Sequence, residues 1–132
     1  MNFQVDTSSR LAIYQQLAQQ IREAIARGEL RPDAGLPSVR QLSRELVVNP
    51  NTVARAYTEL EREGLLVSRP GRGIYVAQPR NDLTRTARDR RLTEQLDRWL
   101  TQAVHLGYSA EEVLGLVSRR VRQFHWNAGG AA

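Results

Sequence analysis

Two helix-start signals stand eleven residues apart in this chain, at Ser38 and Asn49. Ser38 is followed three positions later by Gln41, the spacing in which a hydroxyl accepts a free backbone N–H and a carboxamide reaches back. Asn49 precedes Pro50, and proline suits the first helical position because its missing N–H would have been unpaired there anyway. Between the two signals there is room only for a short helix, Val39 to about Leu46, with Val39, Leu42 and Leu46 facing inward, and a turn at Val47-Val48. A second helix then runs from Pro50 to about Glu63, with Val53, Ala56, Tyr57 and Leu60 as its buried stripe and Gly64 as its stop.

The flanks fit around this pair. Upstream, Ile13, Leu17, Ile21, Ala24 and Ile25 recur at helical spacing beside Tyr14 and Ala18, which gives a first helix over Leu11–Arg27, capped by Ser8 or Ser9 and ended by Gly28. Residues 29–35 read as a turn. Downstream, Leu65–Arg69 and Ile74–Val76 read as strands joined through Pro70-Gly71-Arg72-Gly73, a hairpin that must pack on the helices to be stable. Pro79 closes this unit, so residues 1–79 form the first domain and 80–132 the second.

The second domain opens with a polar connector, Arg80–Arg91, holding five arginines and two aspartates, best read as a solvated face or linker. A long helix is expected from about Thr84 to Leu106, with Leu92, Leu96, Trp99, Leu100, Ala103 and Leu106 on its apolar side and Gly107 at its end. Ser109 and Glu112 make another capping box. The last helix, from Ala110 to about Phe124, carries Val113, Leu114, Val117, Val121 and Phe124 on one face, and residues 127–132 make a frayed tail. Two helices cannot enclose a core of their own, so these stripes are expected to join two copies of the chain.

Three short helices and a basic hairpin make a winged helix-turn-helix, mainly α with a small β-hairpin, here followed by a two-helix dimerisation domain. The surface chemistry suits a nucleic acid. All 19 basic residues are arginine, against 14 acidic ones, for a net charge of +5. The start of the third helix is polar and free of acid, as a major groove requires, while Glu59, Glu61 and Glu63 gather at its far end. The capped helix start at Ser38 with Arg40 beyond it, and Arg69 and Arg72 at the hairpin tip, lie where phosphates would pass.

Other chemistries are excluded or unsupported. Without lysine there is neither a Walker-type phosphate loop nor a Schiff-base enzyme. Without cysteine there are no disulfides, thiolate metal sites or cysteine nucleophiles, which fits a reducing cytoplasm. His105 and His125 are the only histidines and sit on different helices, so no metal is expected, nor any other cofactor or catalytic activity. No apolar stretch is long enough to span a membrane, and Met1–Asp6 lacks the features of a secretory signal.

Residues 13–76 resemble the N-terminal domain of the GntR family of bacterial transcriptional regulators. The resemblance is carried by Ile13-Tyr14-Gln15-Gln16-Leu17, Leu36-Pro37-Ser38-Val39-Arg40-Gln41-Leu42, Val48-Asn49-Pro50-Asn51-Thr52-Val53, Leu60-Glu61-Arg62-Glu63-Gly64-Leu65 and Gly71-Arg72-Gly73, in the family's order and spacing. The Asn-Pro-Asn-Thr helix start is similar to the YtrA-like and MocR-like branches. MocR-like proteins carry a large aminotransferase-type domain, for which this chain has neither length nor lysine, so the short two-helix C-terminal part points to the YtrA-like branch.

The resemblance implies that Arg40 contacts DNA, that Asn49, Asn51, Thr52 and Arg55 at the start of the third helix meet bases, and that Gly71 of the wing enters the minor groove. Arg55 could reach a guanine or only a phosphate. The chain departs from the family at Ala12, where proline is usual, and at Asp33-Ala34-Gly35, where a basic residue is usual, so one phosphate contact is missing. The reading as a whole is a cytoplasmic, nucleoid-associated repressor that binds a near-palindromic operator in double-stranded DNA as a homodimer. The family further implies autoregulation and control of an operon for an ABC transporter. An effector, of unknown identity, would bind near the C-terminal helices or the connector. The competing readings are an architectural DNA-binding protein and a winged helix that binds protein.

Overall fold

Leu17, Ala18 and Ile21 close against Val53, Ala56, Tyr57 and Leu60, and this apolar cluster sets the frame of the N-terminal half. The structure is a computed structural model that describes residues 2–79 and 85–126. Along the chain run α1 (Ile13–Ala26), α2 (Val39–Leu46), α3 (Pro50–Arg62), β1 (Leu66–Arg69), β2 (Gly73–Val76), α4 (Arg85–His105) and α5 (Ala110–Val121). They form a winged helix-turn-helix and a separate C-terminal helical pair, and the chain divides into two units, Met1–Arg80 and Asn81–Ala132. The expected connector residues 80–84, including a helix start at Thr84, and the tail 127–132 lie outside the described residues.

The start of α1 differs from expectation. The helix begins at Ile13, and Ala12 is its N-cap. Gln15 Oε1 accepts the Ala12 N–H at 3.1 Å, the half of a capping box that the N3 side chain supplies, while alanine has no hydroxyl to supply the other half. Ser8 and Ser9 serve the preceding turn instead, Ser8 hydrogen-bonded to Asp6 and Ser9 Oγ accepting from Leu11 N–H. That turn is fastened by two glutamines one helical turn apart. Gln16, 9% exposed, accepts the Asp6 N–H at 2.8 Å and donates to the Asp6 carbonyl at 2.9 Å. Gln20 makes the same pair of bonds with Gln4. Two carboxamides thus treat alternate residues as a neighbouring strand would. At the other end Gly28, at φ 79°, lets the Glu29 N–H return to the Ala24 carbonyl and end the helix.

The turn between α2 and α3 stores strain. Val47 has φ 55° and is 88% exposed. A β-branched residue is unfavourable in that region, and nothing is gained here by burying it. The left-handed residue nevertheless allows the Val48 N–H to reach the Ser43 carbonyl at 3.0 Å, which ends α2. Tyr57 of α3 spans back to the start of α2, its hydroxyl donating to the Pro37 carbonyl at 2.7 Å, and burial pushes that phenol's pKa well up.

Residues 29–35 are more than a turn. Leu30 is buried in the core. Asp33 to Leu36 runs along β2, with Asp33 N–H on the Val76 carbonyl, Val76 N–H on the Ala34 carbonyl and Leu36 N–H on the Ile74 carbonyl. β2 is therefore paired on both sides, with β1 on the other in antiparallel register, Leu66 opposite Val76 and Arg69 opposite Gly73. Proline, glycine and a left-handed Asp33 (φ 68°) hide this segment from any alternation rule.

In the C-terminal unit the Ser109–Glu112 box is closed in both directions, at 3.1 and 2.9 Å. α5 ends at Val121, three residues short of the expected Phe124; the chain tightens there into i to i+3 bonds, and the Trp126 indole donates to the Val121 carbonyl at 2.7 Å. Ala103 is buried within the unit, while Leu100, Val113 and Phe124 are half-buried. Leu92, Leu96, Trp99, Leu114, Val117 and Val121 remain exposed, Leu92 at 66% and Leu114 at 69%.

Candidate nucleic-acid interface

The interface is built on two helix starts and one turn. Ser38 Oγ accepts the Gln41 N–H at 3.0 Å and so fixes the first turn of α2. The reciprocal bond expected from Gln41 is absent, since that side chain donates to Glu45 at 3.3 Å. Arg40 is exposed, and its guanidinium meets no acceptor among the described residues. Arg44, one turn further and so on the same face, is exposed too. It was legible from its spacing to Arg40 but not among the expected residues.

Asn49 caps α3 with Oδ1, accepting the Asn51 N–H at 2.8 Å. Its carbonyl oxygen is committed to the helix, which leaves its amide N–H₂ to donate. A side chain that reads adenine uses oxygen and nitrogen together, so Asn51, exposed and uncommitted, is better placed for that contact than Asn49. Thr52 is half-buried beside it. Arg55 shares the Asn51 face one turn on, yet its Cζ lies 3.8 Å above the centroid of the Tyr14 ring. Tyr14 lies outside the expected set of site residues, and no pattern in the sequence joins residues so far apart.

The far end of α3 is anchored separately. Arg22 of α1 grips both oxygens of Glu63, at 2.7 and 2.6 Å, and comes to 4.0 Å of Glu59. Tyr14–Arg55 and Arg22–Glu63 are eight residues apart on both helices, so α1 and α3 run the same way along their contact, over ~12 Å. The acidic end of α3 is thereby partly neutralised from within.

The wing turn is Arg69-Pro70-Gly71-Arg72, closed by the Arg72 N–H on the Arg69 carbonyl at 2.9 Å. Proline in the second place and Gly71 at φ 72° in the third make it a type II turn. Nothing lies within 4 Å of a Cβ built on Gly71, so the glycine answers to backbone conformation, not to crowding. Arg72 is exposed at the tip with its guanidinium unpaired among the described residues, its carbonyl accepting the Tyr75 hydroxyl at 3.0 Å. Arg69 is engaged: it stacks on the Tyr75 ring and reaches Asp33 Oδ1 at 2.6 Å, while Gln78 donates to the other Asp33 oxygen at 2.7 Å. These donors hold the Asp33 carboxyl below its usual range.

Free cations at a helix start and a wing tip, beside a polar helix start without acid, make a surface that can meet phosphates and base edges together. Among the described residues no group of three His, Asp or Glu could hold a metal, and no helix is long and apolar enough to cross a membrane.

Residues 13–76 match the family described as "Bacterial regulatory proteins, gntR family". The HTH-type transcriptional repressor YtrA of Bacillus subtilis is 36% identical over 110 residues, which is 83% of this chain and 85% of that one. Among solved structures, one described as a transcriptional antiterminator from Listeria monocytogenes EGD-e superimposes with a TM-score of 0.78 at 28% identity, over 99% of this chain and 98% of that one. YtrA from Sulfolobus acidocaldarius, described as a GntR-family transcription factor, has a TM-score of 0.57 at 37% identity, over 72% of this chain and 97% of that one.

Proposed function

This chain belongs to the GntR family of bacterial DNA-binding transcriptional regulators, and from that premise we propose that it is a repressor that binds a near-palindromic operator as a homodimer in the cytoplasm. The observation that carries the reading is the surface around Asn51: an exposed, acid-free helix start with arginines at positions 40 and 72 that are unpaired among the described residues. In this reading α3 enters the major groove, with Asn51 and Thr52 at base edges and Asn49 donating through its amide. Ser38 and Arg40 meet the phosphates of one strand, and Gly71 and Arg72 follow the groove edge. Arg69 is paired with Asp33 and so contributes less to DNA than its position in the sequence suggests.

The C-terminal unit is the proposed dimer contact. Leu92, Leu96, Trp99, Leu114, Val117 and Val121 supply its exposed apolar surface, and Leu100, Val113 and Phe124 its half-buried margin. Ala103 is spent inside the single chain. Two-fold symmetry would then present two reading helices to two half-sites. The relative from Bacillus subtilis is named a repressor, which supports that sign of control here. Autoregulation and a transporter operon as target belong to the same reading.

The test is binding of the full chain to the DNA upstream of its own coding sequence, against random duplex of equal length at fixed salt. Preference for the upstream DNA by more than tenfold is the expected result, and equal affinity would favour an architectural role.

A further inference from the structure

Arg55 is held in a way that gives it a different task from its helical neighbour Asn51. Its guanidinium carbon lies over the Tyr14 ring, 3.8 Å from the centroid. Tyr14 is half-buried and packs against the core, and the α3 stripe is buried on both sides of Arg55, so the ring and the backbone that carries Arg55 are both held in place. One turn further on, Glu59 stands at the spacing for an ion pair with Arg55, yet it leans toward Arg22 at 4.0 Å. No carboxylate or other acceptor meets the Arg55 guanidinium among the described residues. One side of the cation is covered by a ring, and its N–H donors meet no acceptor among the described residues.

We infer that Tyr14 is a positioning residue for DNA binding, which draws the Arg55 guanidinium toward α1 and commits it to a backbone phosphate instead of a base edge. An arginine that reads guanine must extend into the groove beside the other reading side chains. Stacking on α1 pulls this one sideways. A stacked guanidinium keeps its rigid fork of donors, which matches two phosphate oxygens. The inference rests on α3 being the DNA-facing helix.

The experiment uses the full chain and two probes: a duplex recovered from a randomised pool by the wild-type protein, and a scrambled duplex of the same composition. Arg55→Ala is expected to weaken both by the same factor and to lower the slope of log affinity against log salt by about one. Tyr14→Phe should bind like wild type, Tyr14→Leu should show most of the Arg55→Ala loss, and the double variant should be no weaker than Arg55→Ala alone. Loss on the selected duplex only would make Arg55 a base reader and overturn the inference. So would losses from Tyr14→Leu and Arg55→Ala that multiply in the double variant. If Tyr14→Leu fails to fold, Arg55→Lys decides: it keeps the charge without the stacked plane, and binding equal to wild type would overturn the inference. Wild-type protein that binds neither probe would instead remove the DNA reading itself, and this inference with it.

Discussion

Arg69 and Asp33 neutralise each other at 2.6 Å, so the wing's two arginines are unequal: one is paired and stacked, the other exposed at the tip. Arg69→Ala should therefore weaken DNA binding less than Arg72→Ala, and Asp33→Asn should strengthen it on any sequence by releasing Arg69. Titrations on two unrelated duplexes test this. A weaker Asp33→Asn protein would mean that the pair serves to hold the wing in place.

The free arginines and the short polar residues of α3 should separate by salt and by sequence. Replacing Arg40 or Arg72 by Ala should weaken all duplexes alike and reduce the salt slope by about one each. Asn51→Ala should cost about 1–3 kcal/mol on the operator and little on scrambled DNA. An equal loss on both would remove α3 from the role of reading helix.

Val47 offers a gain in stability at a position whose side chain is almost wholly exposed. A left-handed L-residue costs roughly 1–2 kcal/mol, whereas the extra freedom of glycine in the unfolded chain costs about 0.5–1. Val47→Gly should thus raise Tm by about 3 °C, and Val47→Asn should do at least as well. A lower Tm in both variants would show that the exposed valine stabilises the fold in some other way.

The proposed dimer predicts a clean break by charge. Leu96 is 47% exposed in the single chain, so Leu96→Glu costs the subunit little but places a carboxylate in the contact. Sedimentation should show dimers for the wild type and monomers for the variant, with unchanged helix content by circular dichroism. A dimeric variant would move the contact elsewhere.

Acid should loosen the α1–α3 contact. Hydrogen bonds from Arg22 hold the Glu63 carboxyl below its ordinary value of 4.5. A carboxyl with a depressed folded-state pKa stabilises fully above its ordinary pKa, and that stability is lost as pH falls through the depressed one. Urea midpoints should fall more steeply below about pH 4.5 for the wild type than for Glu63→Gln. Parallel pH profiles would assign the acid sensitivity to other carboxylates.

The helix-turn-helix was legible because each of its boundaries rests on a residue acting on its near neighbours: Ser38 on Gln41, Asn49 on Asn51, Gly64 on the end of α3. The errors have two sources, local partners that compete for the same groups and pairing supplied by distant chain. Ser8 and Ser9 looked like caps of α1, but both serve the turn before it, Ala12 stands at the N-cap, and the preceding segment is held by Gln16 and Gln20. Asp33–Leu36 looked like a turn because its pairing is supplied by β2, some forty residues on. Among the candidate contacts, spacing put Arg55 on the face of Asn51 but could not reveal Tyr14 beside it.

Gln16 and Gln20 hold the N-terminal segment entirely through its peptide groups. Every amino acid but proline offers the same N–H and carbonyl, so the side chain at position 4 is invisible to the clamp that fastens it. Mutational freedom is thereby divided unevenly between the two partners. Position 4 can drift in sequence while keeping its place, though its neighbour Phe3 packs against the core, whereas a glutamine shortened to asparagine loses a methylene of reach.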